Sequence, residues 1–130
     1  MIFGIGIDTI EVPRIAETIR TYGDQFILRI FSEEEISYCA RRPHAAEHYA
    51  ARFAAKEAYA KAIGTGVRRG FIWKEVSVGK LFSGQPFLRL SERMHARAES
   101  IAGANFRLSV SITHTRSIAE AIVTIEQFSR

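Results

Sequence analysis

The segment 44–64 (HAAEHYAARFAAKEAYAKAIG) places a carboxylate on the apolar face of one long predicted helix. The residues at the spacing of a single buried stripe are Ala46, Ala50, Phe53, Glu57, Ala60 and Gly64. A carboxylate on such a stripe loses water, and an unpaired buried charge is strongly unfavourable. Glu57 is therefore expected to need a cation, which a metal ion, a lysine or an arginine would each supply.

The hydrophobic period changes from helical to alternating after this helix. A capping box formed by Ser32 and Glu35 opens the preceding helix, and Ser91 is placed to cap a later one. This order predicts an α+β fold, one compact domain over 1–130 with helices packed on an antiparallel sheet. The predicted elements are strands at 2–8, 72–79, 86–90, 106–113 and 118–126, and helices at 13–22, 33–42, 44–63 and 91–103.

Composition restricts the setting and the partners of the chain. The net charge of +4 favours acidic partners, although basic residues this widely spread are also what solubility alone would give. Cys39 is the only cysteine, which excludes an internal disulfide. The first residues lack the basic region of a signal peptide, and no apolar run approaches the roughly 20 residues of a membrane helix. We expect a soluble, cytoplasmic protein with no membrane partner.

Three residues suggest a metal and phosphate site. Asp8 ends the apolar, Gly-rich first strand, and Lys61 shares a helix face with Glu57 because the two are four residues apart. Magnesium takes one or two carboxylates and completes its shell with water and substrate phosphates. Two carboxylates beside an ammonium group suit that arrangement, whereas the alternative is an ordinary Glu–Lys pair on the surface.

Other polar residues allow two interpretations each. Arg52 and Lys56 lie on another side of the long helix, where spacing alone favours a solvated face over a second phosphate site. His114 follows a strand, a common position for functional groups, although a loop histidine is more often structural. Arg14 and Arg20 are placed to meet an acidic partner or to be ordinary surface arginines.

Three blocks of sequence resemble the holo-acyl carrier protein synthase family, the small 4'-phosphopantetheinyl transferases. They are GIGIDTIEVPRI at 4–15, RFAAKEAYAKAIGTG at 52–66 and SVSITHT at 109–115. The resemblance implies a 4'-phosphopantetheinyl transferase-like fold and a magnesium-dependent transfer. In that reaction the phosphopantetheine arm of coenzyme A moves to a serine of an acidic acyl carrier protein, and adenosine 3',5'-bisphosphate is released.

The resemblance also implies roles for individual residues. Asp8 and Glu57 match the metal ligands, and Lys61 matches the phosphate-binding lysine. Glu57, Lys61 and His114 are the expected catalytic residues, and the serine proton goes either to a water held by the metal or Glu57, or to His114. The residues expected to contact coenzyme A are Arg52, Lys61, Gly64, Gly66, His114 and Thr115.

The family further implies a carrier surface and an assembly. Arg14 matches a position that meets the acidic carrier helix, and Arg20 lies on the same predicted helix. A homotrimer with shared active sites is typical. The chain departs from the family pattern at Ala51, where Gly is frequent, at Gln85, where Lys is frequent, and over 41–48. No contact to the 3'-phosphate is therefore assigned among Arg41, Arg42 and His44.

Two other functions compete with the transferase. A metal-dependent hydrolase acting on a pyrophosphate would use water as the acceptor. A small basic module would bind nucleic acid with strong salt dependence, but no basic stripe occurs in the sequence, so we expect no nucleic-acid partner. The chain carries no zinc ligand set, no nucleophile elbow and no GxxxxGK[ST] phosphate loop.

Overall fold

A computed structural model describes residues 1–68 and 70–128. These residues form one α+β unit, as predicted, in which a long helix packs on an antiparallel sheet. The elements in chain order are β1 Ile2–Glu11, α1 Val12–Tyr22, α2 Asp24–Ile30, α3 Glu33–Ala40, α4 Ala45–Ile63, a 3-10 turn at Trp73–Glu75, β2 Val76–Lys80, β3 Pro86–Leu90, α5 Glu92–Ala102, β4 Phe106–His114 and β5 Ile118–Gln127.

Two separate antiparallel sheets surround α4. One has three strands in the order β1-β5-β4, and the other is the hairpin of β2 and β3. The main apolar core lies between α4 and β5, where buried alanines of the helix meet Ala121, Val123 and Ile125. Among the described residues, no helix combines the length and apolarity that crossing a bilayer requires.

The glycines of β1 allow the strand to approach α4 closely. A Cβ at Gly4 would collide with the carbonyl oxygen of Ala62, and one at Gly6 with that of Ala58. The alanines of the helix and the glycines of the strand thus remove side chains from both surfaces of the contact. The Gly-rich composition of the first strand is therefore explained by its close packing on α4.

Local signals predicted most elements. Both halves of the Ser32–Glu35 capping box are present, and the Ser91 hydroxyl accepts from the Met94 amide at the start of α5. Gly64 ends α4 with a left-handed φ of 93°. The alternation of β4 is confirmed, since Phe106 and every second residue after it are half-buried while those between are exposed.

Two parts of the secondary-structure prediction were wrong or incomplete. The strand expected over 72–79 begins only at Val76, because Trp73–Glu75 form a 3-10 turn. The Lys56 ammonium donates to the carbonyls of Trp73 (3.0 Å) and Val76 (2.6 Å), which holds that turn. Helix α2 was not predicted.

The predicted single buried stripe of α4 was also wrong. Burial extends almost all round this helix, and Glu57 is only half-buried. The buried charged residues of α4 are Glu47, Arg52 and Lys56. Arg52 is 4% exposed and Lys56 is 0% exposed, so the solvated face expected for these two does not exist. The Lys56 charge is balanced by Glu35, also 0% exposed.

Candidate functional site

The strand β1 and the helix α4 bring Asp8, Glu57 and Lys61 together. The Lys61 ammonium donates to Asp8 Oδ1 at 3.2 Å and to the Ile7 carbonyl at 2.9 Å. The Asp8 side chain is 14% exposed, and that of Lys61 is 52% exposed. Gly6, two residues before Asp8, gives the close packing that places this carboxylate over the last turns of α4.

Glu57 lies in an environment that disfavours its charge. Burial raises the pKa of Glu57 above its usual range, and the nearby Asp8 carboxylate raises it further, while Lys61 acts in the opposite direction. One ammonium group therefore serves two neighbouring carboxylates. A divalent cation between them would relieve the repulsion.

The donor set fits magnesium better than zinc. The described residues contain no group of three or more His, Cys, Asp and Glu side chains that would hold a metal unaided. Magnesium usually binds through one or two carboxylates and takes its other ligands from water and phosphate, whereas zinc sites use three or four protein ligands. The residues present thus fit a magnesium ion that shares its coordination with a phosphate.

A second charged site lies between α4, the β2–β3 hairpin and β4. It is a pocket of about 160 Å³, which we call the cationic pocket after Arg52 and Lys80 in its lining, which also includes the imidazoles of His48 and His114. Arg52 is almost completely buried, and its Nε has no hydrogen-bond partner among the described residues. A buried guanidinium with an unused donor, in a pocket that also contains the Lys80 ammonium, is suited to bind an anion.

Tyr38 of α3 organises the cations at this pocket. The guanidinium carbons of Arg42 and Arg52 lie 3.7 and 4.2 Å from the centre of its ring, and Lys80 Nζ donates to its hydroxyl at 3.0 Å. Although burial opposes the change, the Lys80 hydrogen bond and the three cations lower the pKa of Tyr38 below its usual value. Sequence analysis missed His48 and Lys80, which line the pocket, and Tyr38, which contacts Lys80 and Arg52.

His114 belongs to this cationic pocket. Its Nδ1 lies 3.1 Å from Glu47 Oε1, and Arg116 Nε lies 3.2 Å from the other oxygen of that carboxylate. The His114 ring packs edge-on against His48 at 5.0 Å. Burial lowers the pKa of His48, and the charge of His114 adds to the effect. The described lining of the pocket includes neither carboxylate of the Asp8–Glu57 pair.

The remaining predicted contacts lie in turns beside these two sites. Gly64 and Gly66 have left-handed φ angles of 93° and 65° and follow Lys61 at the end of α4. Open space surrounds both positions, where an added Cβ would meet nothing within 4 Å. Thr115 closes the turn after His114, since its hydroxyl accepts from the amides of Ser117 and Ile118.

The first helix borders a separate apolar groove of about 550 Å³. Arg14 is exposed on α1, and Arg20 is exposed but forms an ion pair with Glu17. The groove is lined by Thr18, Tyr22, Gln25, Phe26, Arg29, Ile30, Phe53 and Trp73. It thus combines aromatic side chains with the guanidinium of Arg29, and α1, which carries Arg14 and Arg20, forms one of its sides.

The chain belongs to the 4'-phosphopantetheinyl transferase superfamily, whose family model matches residues 4–119. Within that class it is similar to holo-[acyl-carrier-protein] synthases. The one from Koribacter versatilis is 46% identical over 126 residues, covering 97% of this chain and 99% of the relative. The one from Solibacter usitatus shows the same identity and coverage.

Solved structures give the same result for the fold. A holo-(acyl-carrier-protein) synthase from Bacillus anthracis, in complex with CoA (3',5'-ADP), aligns with a TM-score of 0.80 at 34% identity, covering 98% of this chain and 99% of that one. The Neisseria meningitidis holo-[acyl-carrier-protein] synthase aligns with a TM-score of 0.87 at 31% identity, covering 98% and 100%. The family and the fold predicted from the sequence are both confirmed.

Proposed function

We propose that this chain transfers the 4'-phosphopantetheine group of coenzyme A to a serine of an apo acyl carrier protein, releasing adenosine 3',5'-bisphosphate. The observation that carries the proposal is the presence of two distinct sites for phosphate. Coenzyme A has a pyrophosphate and, on its ribose, a separate 3'-phosphate. The Asp8–Glu57–Lys61 group suits the first, and the cationic pocket containing Arg52 suits the second.

Asp8, Glu57 and Lys61 have separate roles at the pyrophosphate in this proposal. Asp8 and Glu57 would hold magnesium, which would neutralise charge on the phosphates as the phosphoryl bond breaks. Lys61 directs its ammonium toward the departing phosphate oxygens, which stabilises the charge that develops there. The rate comes largely from aligning the serine opposite the leaving group. A water oriented by Glu57 accepts the serine proton in this scheme and passes it to solvent, because His114 lines the other pocket, whose described lining includes neither Asp8 nor Glu57.

Mass spectrometry tests the reaction class directly. An apo carrier protein incubated with the enzyme, magnesium and coenzyme A is expected to gain the mass of the phosphopantetheine arm on one serine. Coenzyme A incubated without carrier is expected to stay intact. Cleavage of coenzyme A in that second sample, with an unchanged carrier in the first, would establish a hydrolase instead.

Arg52→Met is expected to weaken coenzyme A binding roughly tenfold to a hundredfold, since a hydrogen bond to a charged group is worth about 1.5–3 kcal/mol. Dephospho-coenzyme A, which lacks the 3'-phosphate, should be affected much less. Isothermal titration calorimetry with both ligands measures the difference. Arg116→Met, which removes an exposed guanidinium, serves as the control. Equal losses for the two ligands would contradict the assignment of Arg52 to the 3'-phosphate.

The apolar groove beside α1 is proposed to receive the acidic carrier protein, with Arg14 and Arg20 as cationic contacts. Arg14→Glu is expected to raise the KM for the carrier at least about tenfold, because like charges would then face each other, and to leave the KM for coenzyme A unchanged. Steady-state kinetics with each substrate varied in turn would measure both. Arg93→Glu on α5 makes the same charge change elsewhere and should leave both values near those of the wild type.

We also propose a homotrimer, supported by an uncovered apolar face of the three-stranded sheet. Ile5 and Ile7 of β1 are 60% and 58% exposed, and Ile7 pairs across the sheet with Ile122, which is 36% exposed. Asp8 follows Ile7 on the same strand and points to the opposite face of the sheet, so an interface on the apolar face would run behind the candidate metal site. The cytoplasmic location stays a prediction.

Ile5→Asp is expected to convert the trimer to a monomer, since the substitution would bury a charge in an apolar interface. Analytical ultracentrifugation gives the mass of the assembly. Phe82→Asp replaces a fully exposed apolar residue at the tip of the hairpin and should leave that mass unchanged. A wild-type protein that sediments as a monomer at high concentration would refute the trimer.

A further inference from the structure

The deepest charges of the molecule belong to neither phosphate site. Lys56 Nζ and Glu35 Oε1 form an ion pair at 2.7 Å, and both side chains are 0% exposed. Lys56 also donates to the carbonyls of Trp73 and Val76. Glu35 in turn accepts from the amides of Ser32 at 2.9 Å and Val78 at 2.7 Å. One pair of side chains thus joins α3, α4, the 3-10 turn and β2.

Stability alone is a poor explanation for such a pair. Removing two charges from water costs several kcal/mol per ion, and replacing a buried pair with apolar residues of similar size is often neutral or stabilising. The pair instead fixes the relative positions of the elements that it joins, because each of its hydrogen bonds requires a fixed distance and angle. Its effect is therefore expected in the geometry of whatever it connects.

The pair connects two walls of the cationic pocket. One wall is α4, which supplies Arg52 one turn before Lys56, and the other is the β2–β3 hairpin, which supplies Val78 and Lys80. The Lys56–Glu35–Val78 chain of hydrogen bonds crosses from the helix to the hairpin and ends at Val78, which itself lines the pocket.

Helix α3 repeats the connection nearer the surface. Tyr38 lies one helical turn after Glu35, and it contacts Lys80 of the hairpin and Arg52 of α4 at the same time. The buried pair and the tyrosine therefore act on the same two walls from one face of α3. The distance between the Arg52 guanidinium and the Lys80 ammonium is therefore expected to depend on the buried Glu35–Lys56 pair.

We infer that Glu35 and Lys56 form a positioning pair that holds Arg52 and Lys80 at the spacing that the 3'-phosphate of coenzyme A requires. The inference rests on the proposed function and adds to it a pair of residues that touches neither substrate. It predicts a loss of coenzyme affinity, because a misplaced wall weakens every contact to the nucleotide. Carrier binding at the groove beside α1 is expected to be unaffected.

The test uses the double variant Glu35→Leu/Lys56→Met, which replaces the pair with apolar side chains of similar size. Calorimetry with adenosine 3',5'-bisphosphate is expected to show a Kd raised roughly tenfold to a hundredfold, the effect of losing one hydrogen bond between a charged side chain and the phosphate. The KM for coenzyme A should rise in parallel while the KM for the carrier stays constant. A Kd and KM equal to those of the wild type in the folded double variant would overturn the inference and leave a merely structural role.

A matched control comes from α3 and β3. Glu34 and Arg89 form an exposed ion pair between α3 and β3, and Glu34→Gln/Arg89→Met should leave the Kd for the bisphosphate unchanged. If circular dichroism shows that the Glu35→Leu/Lys56→Met variant does not fold, Glu35→Gln takes its place. That variant keeps an oxygen acceptor for the Val78 amide, and an unchanged Kd in it would equally refute the inference.

The outcomes separate this inference from the proposed function. Wild-type enzyme that transfers no arm to a carrier, yet binds the bisphosphate, would refute the transferase while the positioning pair is still tested by the Kd. Wild-type enzyme that transfers the arm, with a double variant of unchanged affinity, would refute only the positioning pair. Wild-type protein that binds neither coenzyme A nor the bisphosphate and transfers no arm would refute both.

Discussion

Glu57→Gln is expected to reduce magnesium-dependent transfer roughly a thousandfold or more while the protein stays folded. A bound metal stabilises the developing charge by several kcal/mol, and each 1.36 kcal/mol corresponds to a factor of ten in rate. The amide keeps the size of the side chain but loses the negative charge that a cation requires. Mass spectrometry of the carrier product measures the rate, and circular dichroism verifies the fold.

The same variant is expected to be at least as stable as the wild type in the absence of divalent metal. The pKa of Glu57 is raised in the folded protein by burial and by Asp8, so the native state holds this proton more tightly than the unfolded state does. The free energy of unfolding therefore decreases as the pH rises from the ordinary pKa of a glutamate through the raised pKa of Glu57. Glu57→Gln should lack this loss of stability with rising pH. Thermal unfolding of both proteins across acidic and neutral pH would detect the difference.

The predicted loss of transfer activity in Glu57→Gln has a control variant and two results that would contradict it. Glu99→Gln neutralises an exposed carboxylate on α5 and should retain full transfer activity. Normal turnover of Glu57→Gln at low magnesium concentration would show that Glu57 is not a metal ligand. Wild-type turnover in the presence of excess chelator would remove the metal from the proposal altogether.

The elements that the sequence predicted correctly carry their information locally. The Ser32–Glu35 capping box and the alternation of β4 each depend on neighbouring residues, and both are present in the structure. Helix α2 has only seven residues and begins directly after Gly23, whose φ is 55°, so no long periodic pattern marks it. Short elements between stronger ones are held by tertiary contacts that a single sequence does not display.

The buried face of α4 was also predicted wrongly because it depends on tertiary contacts. A helix rich in alanine has no strongly polar side, and the choice of Glu57 as the buried charge followed from one possible stripe. Whether Lys56 is solvated depends on Glu35, Trp73 and Val76, which come from other parts of the chain. The pairing of Asp8 with Lys61 was easier to predict, because both residues lie in the sequence blocks that carry the family resemblance.

Gly6→Ala is expected to destabilise the protein by about 1–3 kcal/mol or more, the range found for overpacked cores. The new methyl group would collide with the Ala58 carbonyl oxygen and would lie 2.8 Å from the Ala62 nitrogen and 2.9 Å from Lys61 Cβ. Most of these atoms belong to the backbone of α4, which cannot move aside easily. The buried Glu35–Lys56 pair holds the far side of the helix.

The direction of the change in unfolding free energy shows whether the collision with α4 outweighs the preference of the strand backbone for alanine over glycine. Gly6 has no left-handed φ, so alanine fits its backbone conformation and, without a collision, would stabilise the strand. Chemical denaturation measures the free energy of unfolding, and Thr9→Ala, an exposed change on the same strand, should shift it far less. Transfer activity should also fall in any folded Gly6→Ala protein, since separating β1 from α4 moves Asp8 away from Lys61. A Gly6→Ala protein more stable than the wild type would contradict the close contact between this strand and helix on which the metal site depends.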